Sequence, residues 1–267
     1  MTGKVITITS GKGGVGKTTA TANIGVALAM ADKKVVCIDA DIGLRNLDVI
    51  LGLENRIVYD LVDVVEGRCR LRQAMIRDKK NPDLFLIPAA QTRDKTAISP
   101  NDMIKVCDEL RNEFDFIIVD SPAGIERGFQ NAIAPADEVI ILTNPEVSAV
   151  RDADRIIGLV EAEEKDTPTL IINRINVDMV QRGDMLAAED VLELLAIRLI
   201  GLVPEDEKVI VSSNRGAPVA QSNNSIAGQA FRNIAARLNG DEVPFMSLDH
   251  DGGLFNRLSR FIRSGNN

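Results

Sequence analysis

The 267-residue chain is poor in cysteine, has no long apolar run and carries no excess of basic charge. Its three cysteines, Cys37, Cys69 and Cys107, are odd in number and show no C-x-x-C spacing. They read as reduced thiols of a cytosolic protein, not as a disulfide frame or a zinc site. No apolar stretch approaches the ~20 residues of a membrane-spanning helix. No signal peptide is expected, because the apolar run at Val5–Ile8 passes straight into a glycine-rich segment. The formal net charge of −8 argues against a surface that coats nucleic acid. The sequence also lacks internal repeats and low-complexity segments. What remains is ordinary for a soluble globular protein, with 45% hydrophobic and 26% charged residues. The length suits one large α/β domain or two small ones, able to bury roughly 70–75% of the unfolded surface without staples.

The chain is organised around Gly11–Thr18, which reads GKGGVGKT. An apolar β-type run (Val5, Ile6, Ile8) precedes it, and apolar residues at helical spacing (Ala20, Ile24, Ala27, Leu28) follow. This is the strand–loop–helix setting of the P-loop pattern G-x-x-x-x-G-K-[ST]. Gly11, Gly13, Gly14 and Gly16 let the backbone curl around phosphate, so that N–H groups and the helix N-terminus face the anion. Gly11, Lys12, Gly13, Gly14, Val15, Gly16, Lys17 and Thr18 are the candidate ATP-phosphate contacts. Lys17 neutralises charge near the β and γ phosphates, and the Thr18 hydroxyl suits Mg²⁺. Gly11, Gly13 and Gly16 also satisfy the dinucleotide pattern G-x-G-x-x-G, with Asp39 about 20 residues on. The Lys17–Thr18 pair decides for the P-loop, because a dinucleotide site has no use for it.

Apolar runs at Val5–Thr9, Lys34–Ile38, Leu84–Ile87, Phe116–Val119, Val139–Leu142, Thr169–Ile172 and Leu199–Val203 predict strands. Several are continuous, as in parallel strands buried on both faces. Helical patterns fall at Lys17–Ala31, Val58–Glu66, Pro100–Arg111, Val147–Glu163, Ala188–Ala196 and Ile226–Leu238. The alternation predicts an α/β fold: a doubly wound, mainly parallel sheet with helices on both faces and the ligand at the strands' C-terminal ends. Asp39 and Asp41 follow the second run on that edge, where a carboxylate can orient the attacking water or hold the Mg²⁺ shell. Asp41 is the candidate catalytic carboxylate beside Lys12 and Lys17, and one of the two acids can instead cap a turn. Asp120 ends FIIVD, an apolar strand finishing in a carboxylate, and is the candidate metal ligand with Thr18, directly or through water. Asn173–Arg174 ends the sixth run, and Asn offers both a donor and an acceptor to an adenine edge.

Lys12 is a second loop lysine that a monomeric P-loop does not need. With it, K-G-G-x-G-K-T at residues 12–18 resembles the deviant Walker A motif of the ParA/MinD ATPases. The strings DIGLRNLD, QTRDK, DSPAGIE, TNPEVSAVRDADR and RGDML look like the septum-positioning members of that family. The resemblance implies ATP-dependent homodimerisation, with Lys12 contacting nucleotide across the dimer. It implies that Ile42–Asn46 and Ser121–Glu126 are the two switch loops. It places Asn173, Arg174, Pro204, Glu205 and Asp206 around adenine. It makes Arg151, Asp152 and Asp154 a docking surface for a division inhibitor and an activator. It also implies a cytoplasmic protein cycling onto the inner face of the cell membrane as a peripheral protein. The alternative in the same fold is a ParA-type partitioning ATPase that binds DNA non-specifically, which needs clustered Lys and Arg on a body that here is acidic. A relative of the nitrogenase iron protein would need cluster-ligating cysteines near the switch loops, and 120–129 has none. A nucleotide-gated scaffold with negligible turnover uses the same residues as an ATPase and stays open.

The end of the chain, LFNRLSRFIR, places Leu254, Phe255, Leu258, Phe261 and Ile262 on one helical face. Arg257, Arg260 and Arg263 border that face, and all 39 acidic residues lie before residue 252. A basic amphipathic end on an acidic body reads as an interfacial helix for an anionic phospholipid surface. The expected organisation is an ATPase domain over 1–240, a linker over 241–253 and a membrane-targeting helix over 254–263.

Overall fold

The computed structural model describes residues 2–246. Eight strands form one sheet: β1 (Lys4–Thr9), β2 (Val35–Asp39), β3 (Ile76–Arg77), β4 (Leu84–Ile87), β5 (Phe116–Asp120), β6 (Glu138–Thr143), β7 (Thr169–Ile175) and β8 (Leu199–Pro204). Their order is β3-β4-β2-β5-β1-β6-β7-β8, and only the β3–β4 pairing is antiparallel. Eleven α-helices are described: α1 (Lys17–Met30), α2 (Leu47–Leu51), α3 (Leu61–Val65), α4 (Leu71–Ala74), α5 (Pro100–Leu110), α6 (Arg127–Ile133), α7 (Val147–Ala162), α8 (Val177–Arg182), α9 (Ala188–Leu195), α10 (Glu207–Asn214) and α11 (Ile226–Leu238).

The sheet is buried on both faces, which explains the continuous apolar runs. Ile6 and Ile8 of β1 point into a core shared with α1 and α11, whereas Val5 points to the face covered by α5. Val139, Ile141, Leu170 and Ile172 pack with α7 and α9. Each such side chain contributes about 1.5–3 kcal/mol on burial, which outweighs the weak intrinsic preferences of a parallel strand. β1 lies between β5 and β6, so successive crossovers run away from it in both directions. The loop after β1 therefore opens at the topological switch point, where α/β sheets bind ligands.

All seven expected strands are present, most of them a residue or two longer. β3 escaped the sequence reading because a two-residue edge strand with one buried side chain has no period. Helices α2, α4, α6, α8 and α10 were also unseen. Each spans four to eight residues, too few to establish an amphipathic repeat. The helix expected from Val58 begins only at Leu61. Asp60 caps it by accepting the Asp63 N–H at 3.0 Å, while the Asp63 carboxylate accepts the Asp60 N–H. That reciprocal box fixes the start. Helix α5 starts in the same way, with Ser99 as cap, Pro100 in the first turn and Asp102 closing the box.

Residues 241–246 stay on the body. The Arg237 guanidinium donates to the carbonyls of Val243, Pro244 and Ile200, and lies 4.1 Å from the centre of the Phe245 ring. The remainder of the expected linker and the helix over 254–263 lie outside the described residues. Among the described residues no helix is long and apolar enough to cross a membrane.

One close backbone contact ties two short helices. Gly52 ends α2 at φ +67°, and a Cβ there would stand 2.7 Å from the carbonyl oxygen of Gly216, just beyond α10. Gly52→Ala should therefore cost about 2–4 kcal/mol, combining a left-handed alanine with a forced backbone shift. Urea unfolding of the nucleotide-free protein measures it, and a midpoint equal to wild type would contradict the packing argument.

Candidate functional site

The loop Ser10–Gly16 and the first turn of α1 form the floor of the site. Gly14 and Gly16 have φ of +80° and +102°, which explains glycine at both. Gly11 is required for another reason. A Cβ there would lie 2.4 Å from the carbonyl oxygen of Asp152, so α7 packs directly on the loop. The Ser10 hydroxyl donates to the Lys12 carbonyl at 2.8 Å and accepts from Lys17 Nζ at 2.9 Å. That arrangement holds the lysine across the mouth of its own loop.

Lys17 is buried, and burial pushes its pKa down while Asp120 and Asp41 draw it back up. Asp120, at the end of β5, is buried and held above the ordinary carboxylate range by desolvation first and by Asp39 second. The Thr18 and Thr21 hydroxyls donate to it, Thr21 at 3.2 Å, and oppose that shift. Asp39 stands opposite Asp120 in the β2–β5 register, and burial raises it also. Three expected participants, Lys17, Thr18 and Asp120, thus converge on one point. The donors there are a hydroxyl and a carboxylate, the hard-oxygen set that suits Mg²⁺ with phosphate.

The two acids of the second loop separate cleanly. Asp39 is the one that caps: its carboxylate accepts the N–H groups of Asp41, Asn46 and Leu47. Asp41 is half-buried, stands close enough to Lys17 to raise its pKa, and lines a small cavity with Pro122 and Gly128. Lys12 is half-exposed, with Nζ 3.5 Å from the Glu146 carboxylate and 3.3 Å from the Ser148 hydroxyl. Glu146 and Ser148 were not anticipated, since they lie about 135 residues away in sequence.

Beside the loop opens a cleft of ≈ 860 Å³ that includes Gly16, Asn173, Arg174, Pro204, Glu205 and Asp206. The volume is that of an ordinary small-molecule site. The five residues expected around a base therefore do meet there. Their side chains are partly committed. Asn173 Nδ2 donates to the Val15 carbonyl at 2.8 Å and so braces the phosphate loop. Arg174 sits at φ +57° where the β7–β8 register shifts, a bulge that turns it out of the strand. Glu205 accepts from Asn176 Nδ2 at 2.9 Å, and Asp206 caps α10 and accepts from the Ser225 hydroxyl at 2.6 Å. On α7, Arg151 and Asp154 are exposed, while Asp152 is half-buried against Gly11.

The buried acids give a pH signature. A carboxylate raised by folding keeps its proton longer in the folded state, so its stabilising contribution is lost as pH rises through the folded pKa. For Asp120 that pKa is about 8. From its ordinary value near 3.8 up to about pH 8 this group should make the nucleotide-free protein progressively less stable, with no further loss from it above that. Asp120→Asn should melt higher at pH 8, by about 2–4 °C per kcal/mol relieved, and with a shallower pH slope. Differential scanning calorimetry without nucleotide decides; identical slopes would remove the argument.

Residues 6–219 match the family described as the CobQ/CobB/MinD/ParA nucleotide binding domain. The septum site-determining protein MinD of Synechocystis is 53% identical over 264 residues, 98% of this chain and 99% of that one. MinD from the MinC:MinD cell division complex of Aquifex aeolicus aligns with a TM-score of 0.86 at 51% identity, over 91% of this chain and 99% of that one. The Pyrococcus horikoshii MinD complexed with Mg-ADP aligns with a TM-score of 0.80 at 29% identity, over 88% and 96% of the two chains. A P-loop at the switch point, a buried Lys17–Asp120 pair and these matches agree: the chain belongs to the CobQ/CobB/MinD/ParA nucleotide-binding family, among its septum site-determining MinD ATPases.

Proposed function

We propose that this ATPase dimerises on ATP, binds the inner membrane through its C-terminal segment and helps place the division septum. The observation that carries the hydrolytic reading is the convergence of Lys17, Thr18 and Asp120 on one buried point at the start of α1. Lys17 neutralises the β and γ phosphates, and the loop N–H groups orient them. Thr18 and Asp120 would hold Mg²⁺, which would supply positive charge to offset that of the phosphates. Asp41, beside Lys17, orients the attacking water. The cleft lined by Asn173, Arg174 and Pro204 takes the adenosine. The Mg-ADP complex of the Pyrococcus relative supports this choice of ligand.

Dimerisation is supported by two features of the P-loop face. Lys12 is tethered by a long ion pair to exposed Glu146 and a hydrogen bond to the Ser148 hydroxyl, both on the surface, so it can be released toward a second copy at little cost. Leu44, Ile125 and Val147 are 62%, 60% and 64% exposed, on the loop after β2, the loop after β5 and the first turn of α7. Exposed apolar side chains on the segments that follow the ligand-edge strands suit a contact made only when nucleotide completes the face. A basic amphipathic tail over Leu254–Arg263 binds weakly as one copy, and two copies on one dimer add avidity of ~10²–10⁴. The proposed organisation is an ATPase domain over 1–240 with 241–246 laid against it, the rest of the linker over 247–253 and a membrane helix over 254–263. It is cytoplasmic until ATP recruits it to the membrane.

Vesicle co-sedimentation with ATP, ADP and no nucleotide tests the cycle. Wild type should pellet with anionic vesicles only with ATP, and less at high salt. Lys17→Ala should lose ATP hydrolysis by at least ~10²-fold. Lys12→Ala should retain ADP binding but neither dimerise nor pellet. Removal of Leu254–Asn267 should dimerise without pelleting. Pelleting that is equal with ADP, or that survives the truncation, would refute the mechanism.

Partners follow the Aquifex MinC:MinD complex, which supports a division inhibitor of the MinC kind. An activator of the MinE kind completes the cycle. Exposed Arg151 and Asp154 on α7, with Asp152 behind them, form the surface that fits such partners. Asp154→Ala should weaken binding to the inhibitor about ten-fold in surface plasmon resonance, with basal ATPase unchanged. Equal affinity would remove α7 from the interface.

A further inference from the structure

A single carboxylate grips both ends of the loop that carries Asp41. Asp39 ends β2 and is 1% exposed. Its Oδ1 accepts the Asp41 N–H at 3.0 Å, where the loop begins. Its Oδ2 accepts the N–H groups of Asn46 at 3.1 Å and Leu47 at 3.2 Å, where the loop ends and α2 starts. Between these grips the backbone is wound tightly. Gly43 has φ +96° and Arg45 has φ +23°. The Leu44 and Arg45 N–H groups both turn back to the Asp41 carbonyl, and Gly43 N–H reaches Ala90. Arg45 is also held by the buried carboxylate of Asp48, 3.0 Å away. A non-glycine residue at such a φ persists only where its surroundings over-determine it. Here the surroundings are the two grips and that ion pair.

The residue type follows from the geometry. Three N–H groups arrive on two oxygens from opposite ends of the loop. Asparagine has one acceptor oxygen and would turn an NH₂ donor toward the other end. Only an ionised acid of this length accepts on both sides, and hydrogen bonds to an ionised group are the strong ones. The three donors also occupy Asp39, leaving it turned toward the loop backbone.

We infer that Asp39 is a positioning residue for ATP hydrolysis, a clasp that fixes the Asp41 carboxylate relative to Lys17 and the phosphate loop. The inference rests on the proposed role of Asp41 as the residue that orients water. A displacement of about 1 Å at such a group costs on the order of 10² in rate. The nucleotide itself is held by the P-loop and the adenosine cleft, which the clasp does not touch.

Steady-state hydrolysis by full-length Asp39→Asn tests this. The expected result is a fall in kcat of about 10–100-fold. KM for ATP, ADP affinity and the Mg²⁺ concentration for half-maximal rate should each stay within about three-fold. Hydrogen exchange should quicken at the Asn46 and Leu47 amides and not in β1 or α1. In an Asp41→Ala background, Asp39→Asn should produce no further loss. An unchanged kcat overturns the clasp. So does a ten-fold higher Mg²⁺ requirement with kcat restored by excess Mg²⁺, which would make Asp39 part of the metal shell. Full turnover in Asp41→Ala alone would instead defeat the reading of Asp41. If Asp39→Asn does not fold, wild-type exchange still decides: Asn46 and Leu47 amides exchanging as fast as open loop overturn the proposal.

Discussion

The site depends on keeping one lysine charged where little water reaches it. Lys17 is 8% exposed, and burial alone favours its neutral form. Asp120 and Asp41 oppose that loss, and the Ser10 hydroxyl fills one of its donor directions. The carboxylates then create a second difficulty, because Asp39 and Asp120 face each other across adjacent strands. One lysine does not neutralise this group, and the residual negative charge suits a divalent cation with phosphate. The parallel sheet can bear such a cluster because its apolar side chains are buried on both faces along all the central strands. A local electrostatic cost is offset by distributed packing, the usual relation between a functional site and its fold.

Much of this was legible in the letters. The P-loop was readable because each residue type answers a local need of backbone or charge at fixed spacing. The strands were readable because burial on two faces leaves continuous apolar runs. What stayed hidden was long-range or degenerate. Gly11, Gly14 and Gly16 look alike in sequence, yet the last two satisfy a backbone angle and the first makes room for α7. Asp39 and Asp41 are the same letter two positions apart. Only hydrogen-bond geometry tells that Asp39 grips the loop while Asp41 faces Lys17. Lys12 was singled out from its motif, but its resting partners on α7 could not be found without the fold. Asn173 lines the cleft expected for a base, and only the fold reveals that its amide also braces the phosphate loop.

The packing of α7 on the P-loop has a mechanical meaning. Gly11 meets the backbone of Asp152, not a side-chain tip, so neither can move far without the other. Lys12 rests on Glu146 and Ser148 at the near end of the same helix. Exposed Arg151 adjoins the contact residue, and exposed Asp154 lies two positions beyond it. Whatever engages that outer face lies within two residues of the contact with the loop that cradles phosphate. Interiors packed at near-crystalline density transmit such displacements instead of absorbing them.

The opposite end of the molecule constrains the tail. Arg237 fastens Val243 and Pro244 beside Ile200, near the start of β8, whereas the phosphate loop lies at the other ends of the strands. The spacer from 247 to 253 spans at most about 23–25 Å when fully extended. Crossing from that corner to the P-loop means climbing a six-residue strand, about 20 Å, and passing β7 and β6 at roughly 5 Å each. Along the strand and then across the sheet that route is about 30 Å, longer than the seven residues can span even fully extended. Direct control of the tail by bound nucleotide is therefore disfavoured by geometry. Control through association, as in the proposed cycle, is not, because two paired bodies would bring two tails to one surface without moving either relative to its own domain.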